Sequence, residues 1–214
     1  MKKIAVILSG CGVFDGSEIG ESMMALLAID LYGASYSIFA PDKAQAVVMN
    51  HLTGEPMAEQ RNVLVEAARI ARGEIAPLSS FRADEFDALI LPGGFGAAKN
   101  LSTYATDGER MTVDGEVRQA VLAMHAAGKP IGAMCIAPVI LAHLLPGVKL
   151  TIGKDPRTAA HIAAMGGVHE ATDAAQVSAD AAHKVYTTPC YMLNGVRIGQ
   201  IFQSAQALVK AMLA

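Results

Sequence analysis

Four short apolar runs, Ile4–Leu8, Tyr36–Ala40, Ala88–Leu91 and Pro130–Met134, are separated by longer amphipathic stretches with helical spacing. Strands that alternate with helices fit a mostly parallel sheet whose two faces are covered by the helices. Helical spacing predicts helices over Glu18–Leu31, Arg61–Arg72, Asp114–Ala127, Ala137–Leu145, Pro156–Met165 and Arg197–Leu213, with Gly33, Gly73, Gly128 and Gly166 as their stops.

Two segments break the alternation. Residues 42–60 contain the turn-like Thr53-Gly-Glu-Pro56 and read as a hairpin or lid inserted after the second strand. Val177–Thr188 reads as another hairpin, turning near Asp180–His183. No internal repeat, low-complexity tract or linker divides the chain, so residues 1–214 are expected to form one domain. The fold expected is α/β, a flavodoxin-like three-layer sandwich with a mostly parallel central sheet and added hairpins. In such a sheet ligands collect beyond the carboxyl ends of the strands, so the chemistry is sought in the turns that follow them.

Composition narrows the picture. Hydrophobic residues make up 52% of the chain but aromatics only 5%, with no Trp, so the core must be built from aliphatic side chains and the 11 Met. Lys and Arg number 17 against 20 Asp and Glu, and no stretch gathers the cations needed to neutralise a run of phosphates. Nucleic acid is therefore not an expected partner. Met1–Ser9 reads as a buried strand rather than a signal h-region, and polar residues interrupt every run before membrane-spanning length. A cytoplasmic protein with no membrane partner is expected.

Three cysteines, at 11, 135 and 190, make neither a CxxC pair nor an even disulfide framework, and free thiols are expected. The six histidines show no HxH or HExxH spacing, so no protein-built metal site is expected.

Cys135 follows the last of the four runs and precedes the predicted helix that Pro138 opens, in Gly132-Ala-Met-Cys-Ile-Ala-Pro138. A sulfur at a helix N-terminus meets partial positive charge, which favours thiolate and makes the cysteine a candidate nucleophile; its alternative is a buried structural thiol. Leu91-Pro-Gly-Gly94 ends the third run. Amides of Gly93 or Gly94, together with that of Ile136, would form an oxyanion site if sulfur adds to a carbonyl, and otherwise the glycines serve a tight turn. Glu18 and Glu21 enter the first helix, where capping is the ordinary role of an acid and proton exchange with the cysteine the functional one.

Two nucleotide-binding patterns fail. Gly10-Cys-Gly-Val-Phe-Asp-Gly16 has GxGxxxG spacing rather than GxGxxG, and no tyrosine has Lys four positions later. Gly94-Phe-Gly-Ala-Ala-Lys99 lacks the Gly-Lys-Ser/Thr ending of a P-loop. Cys11, Cys190, His125 and His143 are assigned to structure.

Cys135, an upstream glutamate and the Gly93-Gly94 turn together resemble the ThiJ/PfpI branch of the class I glutamine amidotransferase-like superfamily. Asp15-Gly-Ser-Glu-Ile19, Asn50-His-Leu-Thr-Gly-Glu55, Leu91–Leu101, Met134–Pro138, Thr187-Thr-Pro189 and Tyr191-Met-Leu193 resemble its ElbB-like, isoprenoid-biosynthesis-associated glyoxalases over nearly the whole chain. The resemblance implies that the acid is Glu21, by its distance from Gly33. It implies a lyase with no cofactor, glutathione-independent, in which a Cys135 thiolate adds to glyoxal and Glu21 moves the proton that leads to glycolate. Methylglyoxal to lactate is the related reaction, and deglycase activity is a further reading of the same chemistry. A homodimer is implied as well. Ile136 follows the cysteine where many relatives carry a histidine, and no late His-x-Glu pair is present, so glutaminase activity is not expected. The alternatives are a redox-sensing or stress-response binding protein and a small-amide or ester hydrolase using the same cysteine.

Overall fold

The computed structural model describes residues 1–214. In chain order its elements are β1 Lys3–Ile7, α1 Ile19–Leu31, β2 Ser35–Ala40, β3 Val48–Met49, β4 Pro56–Met57, α2 Val63–Ile70, β5 Ala76–Pro77, β6 Ala88–Leu91, α3 Phe95–Lys99 and α4 Tyr104–Asp107. Then follow α5 Gly115–Ala126, β7 Ile131–Met134, α6 Pro138–Leu144, β8 Lys149–Leu150, α7 Pro156–Ala164, β9 Val168–His169, β10 Ser178–Asp180, β11 Val185–Thr188 and α8 Ile198–Leu213. The six predicted helices and four predicted strands all form, with ends displaced by at most two residues.

The central sheet has seven strands in the order β10-β11-β7-β6-β1-β2-β5. Every neighbouring pair is parallel except β10 with β11. The order β2-β1-β6-β7-β11 is flavodoxin-like, with β5 and β10 added at its edges. Ile4–Ile7, Ala88–Leu91 and Ile131–Met134 are buried at every position, as strands with helices on both faces must be.

Gly33, Gly73, Gly128 and Gly166 follow α1, α2, α5 and α7 with φ of 70°, 87°, 64° and 88°, the left-handed conformation that glycine adopts without a Cβ penalty. Helix α1 is apolar nearly all round. One side packs into the core through Ala25, Leu26, Ala28 and Ile29, while Ile19, Met23, Leu27 and Leu31 form an exposed stripe at four-residue spacing.

The segment after β2 is the antiparallel β3–β4 hairpin. Asp15 Oδ2 accepts from the Met49 amide at 2.7 Å, and the His51 ring lies 5.0 Å from that of Phe14, so the hairpin is tied to the turn after β1. None of its residues lines the large cavity described below, so it does not cover that cavity as a lid. The β10–β11 hairpin turns where expected, and β11 joins β7 in parallel. Strands β8 and β9, a separate two-stranded sheet, went unread because two-residue strands carry no periodicity. No helix is long and apolar enough to cross a membrane.

Candidate active site

Strand order reverses between β1 and β6, so a crevice opens at the carboxyl ends of the strands there, the usual ligand position in an open α/β sheet. The turns after β1, β6 and β7 meet in it. Residues 10–16 after β1 pack against α3. Gly96 of α3 lies against Ser9 and Gly16, its amide donates to the Gly16 carbonyl at 2.8 Å, and the Phe95 amide donates to Val13 at 2.7 Å. These glycines permit close packing.

Cys135 lies between β7 and α6 with φ of 59°, a left-handed conformation that is uncommon for a residue with a Cβ. Its amide is held by the Thr188 carbonyl of β11 at 3.0 Å, so sheet pairing continues into the turn and fixes the direction of the side chain. Pro138 is the first residue of α6, as expected from its missing amide proton. The amides of Gly94 and Ile136 lie near the sulfur and have no backbone acceptor.

The structure distinguishes the two acids. Glu18 is the N-cap of α1, its Oε2 accepting from the Glu21 amide at 2.6 Å, and its own amide donates to the Gly93 carbonyl at 2.9 Å. Glu21, one turn further, is fully buried. Its Oε2 accepts from the Gly93 amide at 3.1 Å and its Oε1 from the Tyr191 amide at 3.2 Å, and its carboxyl and the Cys135 thiol flank the Cα of Gly93. Gly93 therefore spends its amide on Glu21. The amides free to face an oxyanion are those of Gly94 and Ile136. A methyl group at Gly93 would overlap Cys135 Cβ and the Glu21 carboxylate, so glycine here is a condition of the site.

The electrostatics overturn one expectation. The helix N-terminus was expected to lower the Cys135 pKa, but burial, followed by the nearby Glu21 carboxylate, raises it well above the ordinary thiol value; the Gly94 and Ile136 amides offset this only in part. Desolvation outweighs the partial charge of a short helix because the side chain is only 8% exposed. Burial likewise pushes Glu21 up to about 8, against the lowering contributed by the Tyr191 and Gly93 amides and the neighbouring Cys135 thiol. At neutral pH the resting pair is a thiol beside a largely protonated carboxyl.

Sequence reasoning missed the Tyr191 amide; its neighbour Cys190 is a buried residue, in keeping with its assignment to structure. Cys190 is fully buried with φ of 45° at the start of a 3-10 turn, and that turn presents the Tyr191 amide to Glu21. Thr187-Thr-Pro-Cys-Tyr191 was the available signal, since a proline directly after a buried strand marks a constrained turn. Cys11 does not line the cavity, and His183 pairs with Asp180 at 2.8 Å. Cys135 and Ile136 open onto a cavity of about 1300 Å³ whose wall includes Val13, Glu18, Gly94, Phe95 and Tyr191. No group of three or more His, Cys, Asp or Glu side chains is arranged to hold a metal ion.

The chain is 43% identical over 99% of its length to the human mitochondrial glutamine amidotransferase-like class 1 domain-containing protein 3, spanning 82% of that protein. It is also 43% identical to the rat mitochondrial ES1 protein homolog, again over 99% of its length and 83% of the relative. A crystal structure of an isoprenoid biosynthesis protein with an amidotransferase-like domain from Ehrlichia chaffeensis superposes with a TM-score of 0.91 at 37% identity, covering 99% of this chain and 98% of the other. Drosophila melanogaster DJ-1beta, at 18% identity and a TM-score of 0.58 over 99% of this chain and 90% of its own, shares the fold. The DJ-1/PfpI family model matches residues 46–186, and with these relatives it shows that the chain belongs to the DJ-1/PfpI family, whose ThiJ/PfpI, class I glutamine amidotransferase-like character the sequence motifs had indicated.

Proposed function

We propose that the protein is a cofactor-independent glyoxalase converting glyoxal to glycolate, and methylglyoxal to lactate, through a Cys135 adduct with Glu21 as acid and base. The observation that carries this reading is one thiol and two free amides at the wall of one cavity, with a fully buried carboxyl of raised pKa directly behind the thiol.

In its ionised form Glu21 takes the thiol proton as sulfur forms a bond to one carbonyl carbon of glyoxal. The displaced π pair becomes an alkoxide facing the Gly94 and Ile136 amides, and Glu21 returns the proton to that oxygen. The hemithioacetal carbon then gives its hydrogen to the Glu21 carboxylate as a proton, and its electron pair forms an enediolate with the neighbouring carbonyl. Reprotonation at that neighbouring carbon leaves a thioester. The reaction is an internal redox exchange, one carbon oxidised and the other reduced, so no cofactor is required. Water then cleaves the C–S bond, releasing glycolate and the thiol.

A carboxyl with its pKa pushed up to about 8 suits this double duty, because proton transfer is most effective when the group's pKa lies near the working pH. The redox-sensor alternative needs an exposed thiol of low pKa, and the burial and raised pKa of Cys135 weigh against it. Free thiols suit a reducing compartment, and a cytoplasmic location is the reading we carry from the sequence; the two relatives at 43% identity are named as mitochondrial.

The test is glycolate release from glyoxal without glutathione. Cys135→Ala abolishes release, and Glu21→Gln reduces it by roughly two to four orders of magnitude. Wild-type turnover in the Cys135 variant would reject the mechanism.

A further inference from the structure

Resting on the reading of Cys135 and Glu21 as a carbonyl-adding pair, we infer that the substrate carries an anionic tail, a carboxylate or a phosphate, bound by Arg157 together with the Tyr104 hydroxyl and His161. The cavity of about 1300 Å³ lies above the usual range of small-molecule sites, roughly 300–1,000 Å³, and a two-carbon dialdehyde would leave most of it empty.

Part of its wall is built as a polar recognition surface that the Cys135 chemistry does not use. Tyr104 Oη and His161 Nδ1 lie 3.0 Å apart, and His161 Nε2 lies 3.4 Å from Glu109 Oε2. The Tyr104 and His161 rings meet edge to face at 5.7 Å, and Gly108, with φ of 56°, brings the chain closely past the imidazole. A half-buried tyrosine is thus set by a histidine that is itself set by a carboxylate.

The charges on the wall separate into committed and free. Asp155 caps α7 by accepting from the Thr158 amide at 2.7 Å, Asp173 pairs with Lys154 at 2.5 Å, and Glu18 caps α1. Among the cations, Lys99 donates to the Phe14 carbonyl at 2.8 Å. Arg157, in the first turn of α7, lines the cavity and has no side-chain hydrogen bond or ion pair in the fold. Its planar fork matches an oxyanion in two parallel hydrogen bonds. With His161 neutral and Nε2–H turned to Glu109, Nδ1 accepts from Tyr104. With His161 protonated, Nδ1–H donates to the tyrosine oxygen and frees the phenol proton for the ligand. An anionic tail is therefore held by Arg157 together with the hydrogen-bonded Tyr104–His161 pair.

Two measurements test this. In the first, kcat/KM is compared for 4,5-dioxopentanoate, an α-oxoaldehyde with a carboxylate tail whose product would be 2-hydroxyglutarate, and for its neutral methyl ester. The acid is preferred by about tenfold or more, the weight of a charge-assisted pair, and Arg157→Ala lowers that ratio toward one while Arg157→Lys restores part of it. Equal kcat/KM for acid and ester, or an unchanged ratio in Arg157→Ala, overturns the inference.

The second is calorimetric binding of unreactive probes, 4-oxopentanoate for a carboxylate tail and propyl phosphate for a phosphate, with 2-pentanone as the neutral control. The tighter of the two anions names the tail. Anion binding that weakens about tenfold in Arg157→Ala supports the inference even if no oxoaldehyde is turned over, in which case only the glyoxalase reading fails. Anions that bind no better than 2-pentanone overturn the inference even if glyoxal is consumed.

Discussion

Cys135 and Glu21 meet across the Cα of Gly93, whose amide donates to Glu21 Oε2 at 3.1 Å and whose missing side chain leaves the space that Cys135 Cβ and the carboxylate occupy. The pairing of thiol and acid depends on that glycine as much as on either functional residue.

Replacing Gly93 with Ala should therefore separate folding from activity. The added methyl must push Cys135 or Glu21 aside, at a cost of about 1–3 kcal/mol for overpacking. A variant that retains its circular dichroism spectrum, with a lowered Tm and at least a hundredfold lower glyoxal turnover, is the expected result. Wild-type kcat would show that the contact does not position the pair.

The raised pKa of Glu21 makes stability pH-dependent with a defined sign. Folding raises its pKa from an ordinary 4.5 to about 8, so between those values the folded chain holds a proton that the unfolded chain has lost. Stability from this group is fully present below pH 4.5, falls as pH rises to about 8 and is level above it, a change on the order of a few kcal/mol. Glu21→Gln stays neutral throughout, so its Tm should gain on the wild type between pH 5 and pH 8. Parallel Tm curves would show that the carboxyl is not held protonated.

The same pair should govern the rate. In the proposed mechanism the carboxylate form of Glu21 begins the reaction, so kcat/KM for glyoxal should climb with pH, reach half its limit near pH 8 and level off above it, an apparent value belonging to the coupled Cys135–Glu21 pair. Glu21→Asp should move that limb, because a shorter acid changes its contacts with the Gly93 and Tyr191 amides. A profile flat from pH 6 to 9 would remove Glu21 from the proton-transfer step.

Asn100 provides a test of the scaffold beneath the site. Its Nδ2 donates to the Ser9 carbonyl at 2.9 Å and the Asp15 carbonyl at 2.7 Å, and its Oδ1 accepts from the Ala46 amide at 2.9 Å. Buried after α3, it ties together the turn following β1 and the segment leading to the β3–β4 hairpin. Asn100→Ala leaves the Ser9 carbonyl and the Ala46 amide unpaired, at about 1–3 kcal/mol each, and the Asp15 carbonyl with only the Gln45 Nε2 bond at 3.4 Å. Urea unfolding should show a loss of at least about 2 kcal/mol with the m-value unchanged; a smaller loss would mean that water replaces the side chain without penalty.

Much of the fold was legible in the sequence because the signals were local. Ala88–Leu91 was bounded to the residue, since a buried run ending in Pro-Gly has no other register. Gly33, Gly73, Gly128 and Gly166 marked helix ends because only glycine adopts their positive φ freely. The exposed stripe on α1 was not legible, because periodicity identifies apolar positions without saying which of them the fold covers.

The sequence by itself determined that a cysteine would stand where a central strand passes into a helix, with a glycine pair and an acid at neighbouring strand ends. These follow from short-range sterics and strand–helix alternation. Only the tertiary structure decided which acid faces the sulfur, which amides remain free, and the direction of the cysteine pKa. Glu18 and Glu21 are both acids at the start of α1, and their fates diverge because one turn of helix carries Glu21 beneath Gly93 and Tyr191 while Glu18 stays behind to cap. The helix N-terminus favours thiolate, but burial against Glu21 favours thiol more strongly, and burial is a property of the packed molecule that no local pattern contains.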